Sequence, residues 1–394
     1  MAIKTIKGIT WNHSRAFPPL VAVSQRYEEL HPGVRIHWDK RTLDEFGHKP
    51  IDQLIHDFDL IVIDHPWAGF CFSRNIVCDQ KKFLSTAQWN ELDQSCVGAS
   101  FKSYVFDDRL LAIPIDMATP VPSWRPDLME KNELQLARTW EELIALADKK
   151  FVVMPGFGAD LFLNWLMLLH ALDARPFANA ETIAEKEKAI EAALLLKRLA
   201  EPMPKEITNW NPIVIAELMT RQDSFAYCPF AYSYGNYARP SFVNKPLQYG
   251  NLIQLNGKPL RSILGGTGIA ISSGCKEKEL AFDFSLYCAG EAVQSQIYTY
   301  AGGQPVRKEA WQSEALTTFT GGFFRDSYLS HENALVRPRY DGYVPLQEKA
   351  GVPLQQFILG EISNDRLWEM IEGCYRESNG DCHKCPTGRT NRHE

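Results

Sequence analysis

The amino-terminal part of the chain alternates strand patterns with helical patterns. Residues 5–11 and 34–38 have strand character, and residues 17–30 between them carry apolar side chains at helical spacing. A short helix is predicted over residues 51–58, and Leu60-Ile61-Val62-Ile63 then forms a continuous apolar run typical of a strand buried in a parallel sheet. This order predicts an α/β fold with helices on both faces of a parallel sheet, in which ligands bind beyond the carboxyl ends of the strands.

Length and charge narrow the classes of protein to which the chain can belong. Its 394 residues exceed the roughly 250–300 residues at which a single core stops growing, so two domains are expected. A net charge of −6 lacks the basic footprint of a nucleic-acid-binding protein. No stretch reaches the roughly 18 apolar residues of a membrane span, so the protein is expected not to be membrane-embedded. These features argue against a nucleic-acid partner; the chain is expected to be a monomer whose partner is a small molecule.

The start of the sequence and its cysteines bear on location. The chain runs from Met1 into the first strand pattern without the apolar segment of a signal peptide. Its nine cysteines are an odd number without the spacing of a disulfide framework. Both features favour a cytoplasmic protein, with a periplasmic one as the alternative if a leader was trimmed or the start misassigned.

Sequence motifs in a fixed order carry a resemblance to a known family. They are YEELHPGV at residues 27–34, LAIP at 111–114 with WRPDL at 124–128 and TWEEL at 139–143, GGTGIAI at 265–271, and AFDF at 281–284 leading to GGQPV at 302–306. In these motifs and their spacing the chain resembles the bacterial extracellular solute-binding proteins of family 1, the receptors of carbohydrate-type ABC importers.

This resemblance implies a fold and a function. The expected fold is periplasmic-binding-protein-like type II, a venus-flytrap arrangement of two α/β lobes with a ligand cleft and a hinge. Lobe 1 is expected to be discontinuous, with residues 1–113 and 268–305, and lobe 2 to contain residues 114–267 and 306–394. The expected ligand is a small polar solute, a sugar or sugar-like polyol. The chain would then be the substrate-binding component of an ABC importer, with an ABC permease as partner, or a leaderless relative of one.

Candidate ligand-binding residues combine aromatic side chains with polar ones, as sugar sites do, because a sugar offers apolar ring faces and hydroxyl groups together. Each lies at a predicted strand end or beside an expected lobe crossing. The candidates are Trp11, Asn12, His13, Arg15, Asp64, His65, Trp67, Asp116, Tyr232, Tyr234, Thr267 and Arg307.

Structural roles compete with the binding roles of these residues. The loop that follows Trp11 can simply cap a helix, and Asp64 can simply accept hydrogen bonds from backbone amides in a turn. A lone arginine such as Arg307 is more often part of a surface ion pair.

Two other functions stay open from the sequence. A receptor for a small carboxylate or phosphorylated anion is favoured by His13, Arg15 and Arg307, since these side chains can supply positive charge. A cytosolic enzyme on the same scaffold would use His13 with Asp64 or Asp116 as an acid–base pair. Because the sequence has no nucleophile elbow and no metal-ligand helix motif, we predict a protein that is not an enzyme, without catalytic residues.

The carboxyl-terminal part, from Trp311 onward, looks turn-rich with one helix near residues 366–375. Near its end Cys374, Cys382, His383 and Cys385 offer the ligand types of a zinc site. The second CxxC pair of a zinc ribbon is absent, so a solvated tail is favoured, and we predict no metal and no cofactor.

Overall fold

The computed structural model describes residues 3–48 and 51–382. The chain divides into two compact units. Unit 1 comprises Met1–Ala118, Leu264–Thr317 and Arg339–Asp341, and unit 2 comprises Thr119–Ile263, Thr318–Pro338 and Gly342–Glu394. The lobe boundaries expected from the sequence stay a prediction, because compactness does not test which segments move together.

The strands are mostly short outside the sheet of unit 1. They are β1 (Lys4–Trp11), β2 (Val34–Arg41), β3 (Leu60–Ile63), β4 (Val105–Phe106), β5 (Arg109–Leu110), β6 (Ile113–Ala118), β7 (Ser123–Trp124), β8 (Tyr227–Cys228), β9 (Gln248–Tyr249), β10 (Gln254–Leu255), β11 (Lys258–Pro259) and β12 (Gly265–Ile271).

The helices occupy both units. They are α1 (Phe17–Leu30), α2 (Leu43–His48), α3 (Ala68–Arg74), α4 (Thr86–Ser95), α5 (Pro126–Lys131), α6 (Trp140–Asp148), α7 (Gly158–Ala171), α8 (Lys186–Ala200), α9 (Pro212–Arg221), α10 (Lys278–Cys288), α11 (Glu291–Val293), α12 (Lys308–Gln312), α13 (Glu314–Phe319), α14 (Phe323–Glu332), α15 (Tyr343–Ile358) and α16 (Asn364–Cys382). Among the helices of residues 3–48 and 51–382, none is both long and apolar enough to cross a membrane.

Unit 1 is organised around a mixed sheet with the strand order β2-β1-β3-β12-β6. β1 is parallel to β2 and to β3, whereas β12 runs antiparallel to both β3 and β6. The prediction of a parallel sheet, made from the three amino-terminal strands, is confirmed for them, and β12 adds an antiparallel strand whose direction the sequence did not indicate. The physical reason is that β12 comes from a distant part of the chain and needs no crossover helix to reach its neighbours.

The elements at the start of unit 1 follow their sequence patterns. α1 buries Leu20, Val23 and Tyr27, the residues whose spacing predicted it, and ends where the His31 amide donates to the Tyr27 carbonyl. All four residues of β3 are buried, as a continuous apolar run predicts. The helix predicted over residues 51–58 is wrong in extent, since only Ile51–Gln53 forms one 3₁₀ turn.

Unit 2 combines a small antiparallel sheet with the order β8-β7-β9 and a layer of packed helices. α7 is buried along almost its whole length, and α15 packs against it and against α16. The prediction of a turn-rich carboxyl-terminal part is wrong, because five helices from α12 to α16 occupy it. Pro353 lies inside α15 and hid that helix from a sequence-based assignment.

Candidate functional site

Arg15 and Asp116 form a buried ion pair in unit 1. Arg15 Nε donates to Asp116 Oδ2 at 2.8 Å, and Arg15 Nη2 donates to Asp116 Oδ1 at 2.5 Å. The side chains are 5% and 0% exposed, so this fork-to-carboxylate pair is shielded from water. Burial raises the pKa of Asp116, and the Arg15 guanidinium opposes that rise. Each charge is thereby compensated by the other.

Trp11 ends β1 beside this ion pair. Its indole ring is buried, and the centroid of that ring lies 4.7 Å from the centroid of the Phe46 ring. Arg15 Cζ lies 6.0 Å from the centroid of the Trp11 ring. The indole Nε1 is enclosed and finds no hydrogen-bond partner among the residues that the structure describes. A buried donor without an acceptor costs about 1–3 kcal/mol, which makes this atom a candidate for contact with a ligand.

Thr267 lies across from Asp116 in the pairing of β12 with β6. Directly paired residues of an antiparallel sheet point to the same face, so Thr267 and Asp116 are side by side. The register shifts between Thr267 and Gly268, and Gly266 before it has a φ of +110°. Within the described part of the chain, Thr267 Oγ1 is also buried without a hydrogen-bond partner. We call Trp11, Arg15, Asp116 and Thr267 the Arg15 cluster.

His13 lies in the loop between β1 and α1. Its Nδ1 accepts a hydrogen bond from the Arg15 backbone amide at 3.1 Å. Burial and then the positive charge of Arg15 lower the pKa of His13 from 6.5 to about 4. The imidazole is therefore neutral near pH 7, with its proton assigned to Nε2.

Asp64 follows β3 and holds the turn that begins there. Its Oδ1 accepts from the His65 amide at 2.8 Å and lies 3.1 Å from His65 Nδ1. It thus caps the 3₁₀ turn His65–Trp67, the structural role that competed with ligand binding. His65 and Trp67 are buried, and the Trp67 ring packs edge-on against Phe70 at 5.1 Å between centroids.

Asn12 and Arg307 have other surroundings. The Asn12 backbone amide donates to the Arg41 carbonyl at 2.8 Å, while its side chain is exposed.

The buried Arg307 guanidinium pairs with Glu91 and donates to Ser95 Oγ, both in α4. Arg307 therefore takes part in an ion pair within unit 1, which is the structural role predicted as the alternative to ligand binding. The pair is partly buried, whereas the prediction was a surface ion pair.

Tyr232 and Tyr234 are the candidates in unit 2. Tyr232 is half-buried and has a φ of +48°, a conformation that few residues other than glycine adopt. Tyr234 is buried, and its carbonyl accepts a hydrogen bond from the Tyr249 hydroxyl at 2.9 Å. Their roles in ligand binding stay predictions.

Two further residues of unit 1 flank the ion pair and were missed from the sequence. Tyr298 is buried, and burial together with the nearby negative charge of Asp116 raises its pKa well above the ordinary value. Gln304 Nε2 donates to the Met117 carbonyl at 2.5 Å. Gln304 belongs to the GGQPV motif, so a signal was present for it, whereas Tyr298 sits in a helical pattern that indicated only packing.

The two carboxylates considered from the sequence as acid–base partners of His13 both have other contacts, and an acid–base pair with His13 stays a prediction. Asp116 is bound to Arg15, and Asp64 to His65. Residues 3–48 and 51–382 contain no group of three or more His, Cys, Asp or Glu side chains arranged to hold a metal ion. Of the carboxyl-terminal candidates, Cys374 is a half-buried free thiol. His383, Cys385 and the side chain of Cys382 lie outside what the structure describes.

Comparisons with known proteins bear on the fold and the family. The family model described as "Bacterial extracellular solute-binding protein" matches residues 22–320. Maltose-bound MalE3 of T. maritima superimposes with a TM-score of 0.79 at 16% identity, over 95% of this chain and 99% of that one.

Two other solved solute-binding proteins are equally similar. The protein from Agrobacterium radiobacter K84 in complex with ribitol has a TM-score of 0.79 at 17% identity, over 97% of this chain and 99% of that one. The protein from Thermotoga lettingae bound with α-D-tagatose has a TM-score of 0.79 at 16% identity, over 95% and 99%. These superpositions confirm the predicted periplasmic-binding-protein-like fold.

Proposed function

Because this chain belongs to the family of bacterial extracellular solute-binding proteins, we propose that its solute is a sugar or sugar-like polyol. The family consists of binding proteins and not of enzymes. We propose further that the chain serves as the substrate-binding component of an ABC importer. Maltose, ribitol and tagatose in similar structures support the ligand class.

The observation that carries this proposal is the pair of buried polar atoms next to the Arg15–Asp116 ion pair. Trp11 Nε1 can only donate a hydrogen bond, whereas Thr267 Oγ1 can donate or accept one. A sugar hydroxyl also does both, so a polyhydroxy ligand can satisfy the two atoms together. Since both atoms are enclosed in this structure, binding requires neighbouring side chains to move apart.

The charges of the candidate residues favour a neutral ligand over an anion. Arg15 is neutralised by Asp116, Arg307 by Glu91, and His13 is uncharged near pH 7. An anion receptor needs a cation that is not already paired, and the three residues that favoured this alternative do not provide one. The charges of these residues therefore do not support an anion receptor as a second candidate function.

A thermal-shift screen tests the proposal. The purified protein is heated with neutral sugars, with polyols and, for comparison, with small organic acids and sugar phosphates. A ligand that binds only the folded state raises the free energy of unfolding by about 2.7 kcal/mol when present at 100 times its Kd. If no sugar or polyol raises the melting temperature while an acid does, the proposed ligand class is wrong.

A variant of Trp11 tests the binding residues. Trp11→Phe keeps an aromatic ring and removes the indole N–H, so affinity for the ligand should fall roughly 5- to 30-fold, the equivalent of about 1–2 kcal/mol. Isothermal titration calorimetry measures the change. Trp38→Phe is the matched control, because Trp38 Nε1 already donates to Ser24 Oγ at 2.8 Å and its loss should not alter affinity. Equal affinities of wild type and Trp11→Phe would exclude the indole N–H from the site.

Transport and location are separate parts of the proposal. Deletion of the gene should abolish uptake of the radiolabelled ligand if the chain supplies an ABC permease, and unchanged uptake would argue against that role.

The sequence-based expectation of a cytoplasmic location stays a proposal, with the periplasm as the alternative. Cell fractionation with an antibody against the protein distinguishes the two.

A further inference from the structure

A cavity of about 880 Å³ lies within unit 2. All of its lining residues fall between Pro122 and Asn251 and so belong to that unit. Its volume is in the range of about 300–1,000 Å³ that small-molecule sites occupy. The proposed solute site does not account for this cavity, because the Arg15 cluster belongs to unit 1.

The small sheet of unit 2 supplies two aromatic side chains to the cavity. Trp124 and Tyr227 are direct partners in the antiparallel pairing of β7 with β8, so they point to the same face, and both line the cavity. The Trp124 indole Nε1 donates to Gln248 Oε1 at 3.1 Å, and a Cβ atom added to Gly250 would lie 3.2 Å from the indole ring. The half-buried ring is thus held in place and presents an apolar surface to the cavity.

One side of α6 forms a wall of the cavity. Glu142, Ala145, Leu146 and Lys149 all line it, and residues at this spacing lie on the same side of a helix. Ala145 is exposed and carries only a methyl group. The middle of this wall therefore leaves room for a ligand.

The segment that connects α5 to α6 forms another wall. It is held at its start, where the Leu134 amide donates to the Met129 carbonyl at 2.8 Å, and at its end, where the Arg138 carbonyl accepts from the Gln254 amide at 2.8 Å. Leu136 lies between these two points, lines the cavity and is 42% exposed. A ligand with an apolar body would cover Leu136 and remove its surface from water, which is favourable.

The charges that line the cavity leave positive charge available. Its carboxylate, Glu142, accepts from the Arg138 backbone amide at 2.7 Å and completes the capping box at the amino end of α6, where the helix dipole stabilises negative charge. The other two charged residues are Arg138 and Lys149, and both side chains are exposed. Among the residues that the structure describes, neither of these two side chains takes part in an ion pair. The cavity thus combines apolar walls with two cations that an anion can reach.

We infer that this cavity binds a small amphipathic anion, an apolar body that carries a carboxylate. The apolar body packs against Trp124 and Leu136, and the carboxylate pairs with Arg138, whose planar guanidinium can hold both carboxylate oxygens. Lys149 adds a second positive charge. This site is additional to the proposed solute site and does not depend on it.

A variant that fills the cavity tests whether it binds a ligand at all. The probe is the dye ANS, an anilinonaphthalene sulfonate that is both apolar and anionic, and fluorescence titration of the full chain measures its affinity. Ala145→Phe places a ring in the cavity and should weaken ANS binding about tenfold or more. Ala87→Phe is the matched control, because it places the same ring on an exposed position of α4 in unit 1 and should leave the affinity unchanged. Equal ANS affinities of wild type and Ala145→Phe would overturn the inference.

Exposed variants test the charge and stay informative if Ala145→Phe does not fold. Arg138→Gln and Lys149→Gln should each weaken ANS binding about two- to fivefold, the range of an exposed ion pair. Neither should change binding of phenylnaphthylamine, the uncharged analogue of the dye. Lys205→Gln is the control, since Lys205 is an exposed cation of unit 2 that does not line the cavity. If both glutamine variants bind ANS as the wild type does, or lose the two dyes equally, the cavity does not recognise an anion.

Competition with ANS tests the carboxylate. Decanoate should displace the dye from the wild type at a lower concentration than decanol, which has the same chain without the charge. In Arg138→Gln this difference should shrink about two- to fivefold. The inference is wrong if decanol displaces ANS as readily as decanoate, because the cavity would then take apolar molecules whatever their charge. It is also wrong if ANS binds in the cavity and decanoate does not displace it.

Discussion

The Arg15–Asp116 pair shows what a single contact contributes to unit 1. Both charges are removed from water, and the bidentate geometry lets each satisfy the other. Removing one partner leaves an uncompensated charge in the interior, which costs far more than the intact pair gains.

Asp116→Asn is therefore expected to lower the free energy of unfolding by about 3–5 kcal/mol. Urea unfolding followed by tryptophan fluorescence measures the loss. Glu29→Gln serves as the control, since it breaks the exposed Arg26–Glu29 pair and should change stability little. A loss for Asp116→Asn as small as that of the control would show that the buried charge is compensated in some other way.

His13 should make stability depend on pH between about 6.5 and 4. Its pKa is lower in the folded chain than in the unfolded one, so the unfolded chain binds more protons in this window. Stability should consequently be lost as the pH falls, by about 3 kcal/mol in total. Urea unfolding at a series of pH values measures this effect.

The matched variants for this experiment are His13→Asn and His37→Asn. Asparagine at position 13 keeps an acceptor for the Arg15 amide but does not titrate, so its stability should vary less between pH 6.5 and 4 than that of the wild type. His37 is exposed in β2, and its replacement should leave the pH dependence as it was. Parallel pH profiles for wild type and His13→Asn would contradict the assignment.

The sequence identified the residues of the candidate site, but it did not identify which of their side chains contact each other. Arg15 and Asp116 were each selected, yet they are 101 residues apart, and no local pattern indicates that they form a pair. Arg307 was selected as a lone cation, and only the fold brings Glu91 against it. Side-chain pairing over such distances depends on strand order, which short-range periodicity does not encode.

At the scale of elements, α7 and α15 approach each other closely through two glycines. A Cβ atom added to Gly351 would lie 2.3 Å from the Gly158 backbone, which no real contact allows. These residues lack side chains because the two helices touch there, backbone against backbone.

Gly351→Ala should accordingly force the helices apart and destabilise unit 2 by roughly 1–3 kcal/mol. Thermal unfolding followed by circular dichroism at 222 nm provides the measurement. Gly373 in α16 is the control, because a Cβ atom there meets nothing within 4 Å and Gly373→Ala should stabilise the helix by about 0.5–1 kcal/mol. If both alanine variants shift the melting temperature in the same direction, the close approach of α7 and α15 does not limit the side chain at position 351.

Elements with a clean period were predicted well, and elements defined by distant contacts were not. β1, α1 and β3 follow from their own residues. The antiparallel direction of β12 depends on β3 and β6, which no pattern within residues 265–271 reveals. α15 was missed because Pro353 interrupts its helical pattern, although the buried face continues on both sides of it.

On the scale of the whole molecule, neither unit is a continuous piece of the chain. Unit 2 gains its last part from Gly342 onward, including α15 and α16. α15 buries Leu346, Leu354 and Phe357, and it packs on α7 and α8 from the middle of the chain. The helices of unit 2 therefore depend on residues far apart in sequence.

A chain truncated after Asp341 should lose the cooperative unfolding of unit 2. The truncation keeps every segment of unit 1 but exposes the apolar faces of α7 and α8. We expect increased binding of the dye ANS and a broad, low-amplitude thermal transition. Adding the fragment 342–394 in trans is the control and should restore the transition. A truncated chain that melts cooperatively near the full-length temperature would contradict this dependence.

The position of β12 also has a consequence for biosynthesis. This strand lies between β3 and β6 in the sheet, yet it is translated well over a hundred residues after them. While the ribosome makes the intervening residues, the nascent chain carries unpaired strand edges on β3 and β6, the kind of surface that promotes aggregation. The sheet of unit 1 can therefore be completed only after residue 271 has left the exit tunnel.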